Sequence, residues 1–381
     1  MDRPRREPRA GLRIWPRIWK GSMTGRDPQQ EHRASTPLEC LFDLCFVVAV
    51  SQAAASLRID LADRGISIHH SLIGYATVFF AIWWAWVNFT WFASAYDTDD
   101  IPYRLLTFLQ IAGVLVLGAG VGRAFSGDFA VMTVGYVIMR VAMTTQWLRA
   151  AATHIAGRAT ARRYAGALIV TQLGWIGRLF LPGSWGYATF AILALAEVLT
   201  PVFAEHTAHP TQWHPEHIAE RYGLFTLIVL GECVLSAFVA INAAVSDRGA
   251  PARLVIVAAS GLVIVFGLWW SYFRIPANEM LKESPNLSFV WGYVHYFLFA
   301  AVAALGAGIA LAAEATATAA DPVRLSSMGL ALAVGIPVSV TLVLMTFVRA
   351  LVQKTSLTDM IGWIAAALVL AAAFSARAIG L

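Results

Sequence analysis

Unbroken apolar runs of about twenty residues recur along this chain, and that length is what an α-helix needs to cross the hydrocarbon core of a bilayer. Eleven such stretches can be marked, at 37–57, 71–93, 103–122, 129–149, 163–181, 184–203, 218–242, 252–274, 288–313, 326–349 and 357–377. Of the 381 residues 58% are hydrophobic and 13% charged, too little charge to cover a water-soluble surface of this size. Barrel strands would show alternating segments of about ten residues, and none is seen. The expected fold is all-α, a polytopic transmembrane bundle of about eleven helices, with the lipid bilayer as its first partner.

The charges that exist sit mostly at the edges of these runs, which is the pattern of membrane orientation and not of nucleic-acid binding. Residues 1–36 carry nine Arg or Lys among Pro and Gly without apolar periodicity, and read as a basic, disordered cytoplasmic tail. With that tail inside, cytoplasmic segments hold 19 Lys or Arg against 8 outside, and the Arg-rich connection 150–162 falls inside as required. The expectation is N-terminus cytoplasmic and C-terminus out, in a bacterial plasma membrane. Cys40, Cys45 and Cys233 all fall within spans, so no disulfide framework is implied and each reads as a packing residue.

Two sequence echoes point to an internal duplication. Ala81-Ile82-Trp83-Trp84-Ala85-Trp86 recurs as Gly267-Leu268-Trp269-Trp270-Ser271-Tyr272, and Leu117-Gly118-Ala119-Gly120 as Leu305-Gly306-Ala307-Gly308, at offsets of 186 and 188. The first and seventh helices stand about 181 apart. Six helices per copy preserves orientation, so the copies are parallel repeats, 37–203 and 204–381, the second one shorter. They predict a pseudo-twofold axis along the membrane normal and a shared site near the first and seventh helices. Gly118 and Gly122 also offer a small-xxx-small packing face.

Charge within the spans carries the functional signal. The seventh helix opens His217-Ile218-Ala219-Glu220-Arg221-Tyr222-Gly223 and bears Glu232 eleven residues past Arg221, on the same face. At about 1.5 Å per residue Glu232 lies roughly 18 Å beyond Glu220, near the bilayer middle. A carboxylate there costs roughly 2.5–3.5 kcal/mol on insertion scales, so it is a functional candidate by default. The first helix opens Pro37-Leu38-Glu39-Cys40-Leu41-Phe42-Asp43. Glu39 fits a helix N-terminus, and Asp43 lies one turn deeper on the same face, either a titrating site or the partner of Arg140, Arg221 or Arg104. Arg140, in mid-span, must face protein, with Glu232 or Asp43 as expected partner. Glu197 lies at a depth like that of Asp43 and is a candidate for the same cluster. Glu39, Asp43, Arg140, Glu197, Glu220, Arg221 and Glu232 thus make up the expected pathway for an ion or small solute.

Other polar groups are more ambiguous. Tyr96-Asp97-Thr98-Asp99-Asp100, closed by Arg104, is a cytoplasmic gate motif together with His217, or else a capped turn, and lacks the ligand spacing of a calcium loop. His206, His209, His214 and His217 match no zinc spacing, and neither metal nor cofactor is expected. No strand precedes Gly118-x-Gly120-x-Gly122, and no catalytic motif is present, so an enzyme is not expected. The aromatic second helix, with Trp83, Trp84 and Trp86, reads as core.

Pro37-Leu38-Glu39-x-x-Phe42-Asp43-Leu44-x-Phe46-Val47, Tyr96-Asp97-Thr98-Asp99-Asp100 and His217-x-x-Glu220-Arg221-Tyr222-Gly223-Leu224-Phe225 with Leu230-Gly231-Glu232 together resemble the low temperature requirement A (LtrA) family, over about residues 33–377. Cys40-Leu41, Cys45 and Tyr222 depart from the usual pattern without touching a charged position. The resemblance implies a bacterial multi-pass inner-membrane protein needed for growth in the cold, with no assigned activity. The expected function is a channel or secondary transporter for protons, a cation or a small solute. The alternative is a non-transporting stress sensor or scaffold held together by structural ion pairs. Homo-oligomerisation is left open.

Overall fold

A computed structural model describes residues 21–27, 30, 33–63, 65–207, 209–246, 252–317, 325–352 and 357–379. The helices are α1 (Pro37–Ala62), α2 (Ile68–Tyr96), α3 (Ile101–Ala119), α4 (Val121–Phe125), α5 (Ala130–Thr153), α6 (Arg158–Arg178), α7 (Gly186–Glu205), α8 (Pro215–Ser246), α9 (Ala252–Phe273), α10 (Ala277–Glu283), α11 (Ser288–Ala317), α12 (Ser327–Val352) and α13 (Leu357–Ile379). No strand occurs among the described residues. All but the short α4 and α10 correspond to the eleven apolar runs. Among the described residues eight helices are long and apolar enough to span a membrane, and α5, α6 and α13 are not among them. Arg140 and Arg149 interrupt α5, and Arg158, Arg162, Arg163 and Arg178 crowd α6; the apolar part of α13, Ile361–Ser375, is shorter than a full span. Many large side chains on these helices are exposed, among them Leu44, Val170, Ile192, Phe238 and Leu368. Such a surface is stable only against lipid, and the chain is a multi-pass helical membrane protein.

Local chemistry explains where the critical helices begin. Thr36 and Glu39 form a capping box: Glu39 N donates to Thr36 Oγ1 (3.3 Å) and Thr36 N to Glu39 Oε2 (2.8 Å), with Pro37 in the first turn. α8 starts at Pro215, three residues earlier than the apolar run suggests, because proline suits the first helical position. That extra turn brings His217 inside the helix.

The chain divides into two compact units. One comprises Gln30–Thr90, Val114–Gly135 and Pro215–Leu381; the other comprises Trp91–Gly113 and Tyr136–His214 with the chain before Gln30. In the first, α8 packs on α1, α9, α10 and α11, while α12 lies between α11 and α13. Small residues set the spacing. A Cβ added at Gly118 would meet the Ala49 backbone of α1 (3.6 Å), and one at Gly306 would meet Glu232 (3.0 Å) and Cys233 N (3.4 Å) of α8. A Cβ at Gly120 would collide with Met132 N of α5 (2.6 Å), and one at Gly308 with the Ala333 backbone of α12. Gly118 and Gly306 thus press on α1 and α8, and Gly120 and Gly308 on α5 and α12. The predicted Gly118/Gly122 face is corrected: Gly122 has open space around it, because the helix breaks at Gly120 between α3 and α4.

The described part of the expected solvated tail is largely exposed or partly exposed yet makes specific contacts; residues 1–20, 28, 29, 31 and 32 lie outside the described residues. In the second unit Met23 is fully buried, Gly21 N donates to Asp100 Oδ2 (2.7 Å), Met23 N to Thr153 Oγ1 (3.1 Å) and Arg26 N to Ala95 O (3.1 Å). In the first unit Arg33 is buried and Ser35 N donates to Glu220 Oε2 (3.0 Å). These contacts are made largely by backbone groups, which composition does not reveal.

Candidate functional site

The order of contacts shows that α1 and α8 run parallel: Glu39 meets His217 and Arg221, Asp43 meets Arg221, and Ser51 meets Glu232. Arg221 is the hub of this seam. Its Nε and Nη2 donate to Asp43 Oδ2 (2.9 Å) and Oδ1 (2.6 Å), a bidentate pair, and Nη2 also reaches Thr90 Oγ1 (3.3 Å). Its Nη1 lies 3.2 Å from Glu39 Oε1, and the guanidinium sits 5.9 Å from the Phe89 ring. Trp86 Nε1 gives the Asp43 carboxylate a third donor, at 2.7 Å from Oδ1. Glu39 Oε1 also faces His217 Nε2 (3.0 Å) and Arg33 Nη2 (3.9 Å). Glu39, Asp43, His217 and Arg221 are all buried. The charges of Glu39, Asp43 and Arg221 persist so desolvated only because each faces an opposite charge or a hydrogen-bond donor.

Two cavities flank this chain of charges. A vestibule of about 380 Å³ at the start of α8 and α11 is walled by Arg33, Glu216, Glu220, Phe273, Trp291 and His295 among others. A cleft of about 410 Å³ runs along the α1–α8 seam, lined by Cys40, Asp43, Val47, Ser51, Ile228 and Glu232 among others. Arg33 belongs to the first cavity and Asp43 to the second, so the run Arg33–Glu39–Arg221–Asp43 separates them. Farther along the cleft, partly buried Glu232 accepts from the Ser51 hydroxyl.

The other predicted residues take different places. Arg140 does not pair with Glu232 or Asp43. In the second unit its Nη2 donates to Glu197 Oε2 (2.9 Å), it lies 5.0 Å from the Tyr136 ring, and Trp175 Nε1 donates to Glu197 Oε1 (3.2 Å). Glu197 is thus the partner of Arg140 and no member of an Asp43 cluster: the α6–α7 pairing carries it to Trp175. The acidic turn is a capping structure. Buried Asp100 accepts from Tyr103 N (2.8 Å), Arg149 Nη2 (2.6 Å) and Gly21 N (2.7 Å), Asp97 accepts from Asp99 N (3.0 Å), and Asp99 holds Arg104 through two bonds of 2.8 and 2.7 Å. Asp99 takes a left-handed backbone angle, φ 49°, which Asp tolerates in turns. His206 and His209 contribute carbonyls and His214 its backbone N–H to local bonds, while His217 points to Glu39. No group of three or more His, Cys, Asp or Glu among the described residues is placed to hold a metal ion.

Trp86, Thr90, Ser51 and Arg33 are the site residues that sequence reasoning missed. Ser51 carries a readable signal, since it stands 181 residues before Glu232, the same interval that separates Glu39 from Glu220. Trp86 hides among neighbours that are only packing.

Comparison with known proteins agrees with the motif reading. The family described as bacterial low temperature requirement A protein (LtrA) matches residues 34–381. An uncharacterized protein of Rhizobium meliloti (strain 1021) is 28% identical over 287 residues, covering 71% of this chain and 67% of its own. No solved structure matches.

Proposed function

This chain belongs to the bacterial LtrA family, and on that premise we propose that it is a channel or secondary transporter for protons or another small cation, with the α1–α8 seam as its path. The observation that carries this reading is the cleft itself. Its lining includes residues 181 positions apart in the two sequence copies, Asp43 and Leu224, Val47 and Ile228, and Ser51 and Glu232, and the last two are bonded to each other. Residues that correspond in two parallel repeats meet only beside their shared axis, which is where a path through a duplicated bundle belongs. Carboxylates stand at successive depths of this seam, Glu39 and Glu220, then Asp43, then Glu232, while the arginine charge of Arg221 is consumed by Asp43 and Glu39. The lining thus favours a cation over an anion.

Arg221 is the bolt of this path. Freeing Asp43 for a proton or a cation requires Arg221 to give up a bidentate bond, and Glu39 is in place to hold the displaced guanidinium. The duplicated architecture, with copies 37–203 and 204–381, is supported by the matched glycine contacts of Gly118 with α1 and Gly306 with α8. The basic segments favour an inner-membrane protein with its N-terminus in the cytoplasm, which sets the vestibule on the cytoplasmic side. A static scaffold is the second reading, favoured by the one-to-one Arg140–Glu197 pair, which borders neither cavity.

Purified protein reconstituted in liposomes with an internal pH dye, under imposed proton and potassium gradients, tests the proposal. Flux abolished by Glu232→Gln and by Asp43→Asn is expected. Full flux in both variants would rule the seam out as the path, and absence of flux in folded wild-type protein under every cation gradient would leave the scaffold.

A further inference from the structure

Beyond the seam, the vestibule has the chemistry of a binding site in its own right. Its volume of about 380 Å³ is that of a small-molecule pocket. Glu216 and Glu220 stand one turn apart on α8, on the same face. Glu216 is engaged by Lys282 Nζ at 2.6 Å, whereas Glu220 is exposed, one of its oxygens accepting from Ser35 N. Arg33, the other charge on the wall, faces Glu39. Glu220 is therefore the charge presented to an incoming molecule, and it selects a cation. The same wall carries exposed Phe273 and partly exposed Ile275, which suit a cation with a hydrocarbon body.

A separate observation concerns Trp291. It is 1% exposed, it lines this cavity, and its indole N–H is buried with no hydrogen-bond partner among the described residues. Its ring is fixed by Tyr222 (4.5 Å) and His295 (4.3 Å), and the His295 nitrogens are already taken by Trp291 O and Tyr272 OH, so neither offers it an acceptor. A buried unmet donor is costly, and an acceptor brought in through the cavity would relieve it. Gly223, on the α8 side, leaves room: a Cβ there would meet Phe273 Cε1 at 3.3 Å.

We infer that the vestibule binds a small organic ammonium ion bearing a hydrogen-bond acceptor, with its ammonium on Glu220, its hydrocarbon portion against Phe273 and its acceptor on Trp291 Nε1. This does not rest on the transport reading, since such a ligand occupies the vestibule whether or not anything crosses the membrane.

Isothermal titration of the full chain in nanodiscs with n-butylammonium, 4-aminobutan-1-ol and butyrate tests it. Both ammonium probes should saturate, the amino alcohol more tightly, and butyrate should not. Glu220→Gln should weaken both by about tenfold or more, the value of a lost charge-assisted bond. Trp291→Phe, which keeps the ring and removes the N–H, should erase the advantage of the amino alcohol and leave n-butylammonium unchanged. Butyrate binding as well as n-butylammonium, unaltered affinity in Glu220→Gln, or no saturable binding to protein that melts cooperatively would each overturn the inference. Because the readout is binding, a failure here is separable from a failure of the flux experiment.

Discussion

Two of the buried arginines, Arg140 and Arg221, are set in opposite circumstances. Arg140 meets Glu197 one to one, with Tyr136 at its flank and Trp175 completing the carboxylate. Arg221 serves two carboxylates at once, Asp43 and Glu39, and lies between two cavities. An ion pair of one arginine with one carboxylate, flanked by aromatic rings, keeps its charge balance in a single arrangement, which is what a structural contact needs. An arginine shared between acids has two, and the energy needed to favour either one is small compared with the cost of losing both. Burial alone does not distinguish a functional charge from a structural one; the number of opposite charges within reach does.

Removing the charges makes that comparison measurable, and the largest effects are expected here. Arg221→Met and Arg140→Met should each destabilise by about 3–5 kcal/mol, because either leaves buried carboxylate without its partner. The second substitutions should separate them. Arg140→Met with Glu197→Leu should regain most of the loss in a thermal melt, since a buried pair replaced by apolar residues is often neutral. Arg221→Met with Asp43→Leu should not recover, because Glu39 remains charged and Trp86 Nε1 loses its acceptor. Equal recovery in both would mean that Arg221 is as static as Arg140.

Asp100→Ala comes next in size. It removes the N-terminal cap of α3, worth about 1 kcal/mol, and also strips Arg149 and Gly21 N of their acceptor. The melting temperature should fall by more than for a cap alone, and protease access to the residues around Met23 should rise with it. Ser51→Ala is smaller, about 1 kcal/mol for a single bond to partly exposed Glu232. In liposomes it should alter the pH at which flux is half-maximal more than it alters stability. A larger loss of stability than in Asp100→Ala would show that the seam is a structural contact.

Much of the fold was legible because membrane spans are written in length and apolarity, which need no tertiary information. The α1–α8 site was legible for a related reason: a carboxylate in an apolar run is conspicuous, and Asp43, Arg221 and Glu232 all stand in one. Pairing was not legible. Arg140 has acids at suitable depth in several helices, and only the packing of α5, α6 and α7 selects Glu197. Trp86 is one aromatic among many in α2, and its role depends on an indole N–H pointing at a carboxylate, which no periodicity encodes. Arg33 was hidden by composition, because basic residues before a first span read as solvated charge, whereas this one turns back onto Glu39. Ser51 alone could have been found, by applying the duplication offset to Glu232.

The acidic turn holds the sharpest small-scale contrast and the smallest expected effect. Asp99 and Asp100 are adjacent, and each holds an arginine, but Asp100 is fully buried while the Asp99 and Arg104 side chains are 54% and 50% exposed. Water solvates both partners of the exposed pair nearly as well as they solvate each other, and ordering two long side chains offsets what attraction remains. Arg104→Gln should therefore leave the melting temperature within measurement scatter, with or without added salt, while Asp100→Ala in parallel does not. A clear loss in Arg104→Gln would show that the turn, with its left-handed Asp99, is held from outside by Arg104, and the gating role read from its sequence would become the better account of it.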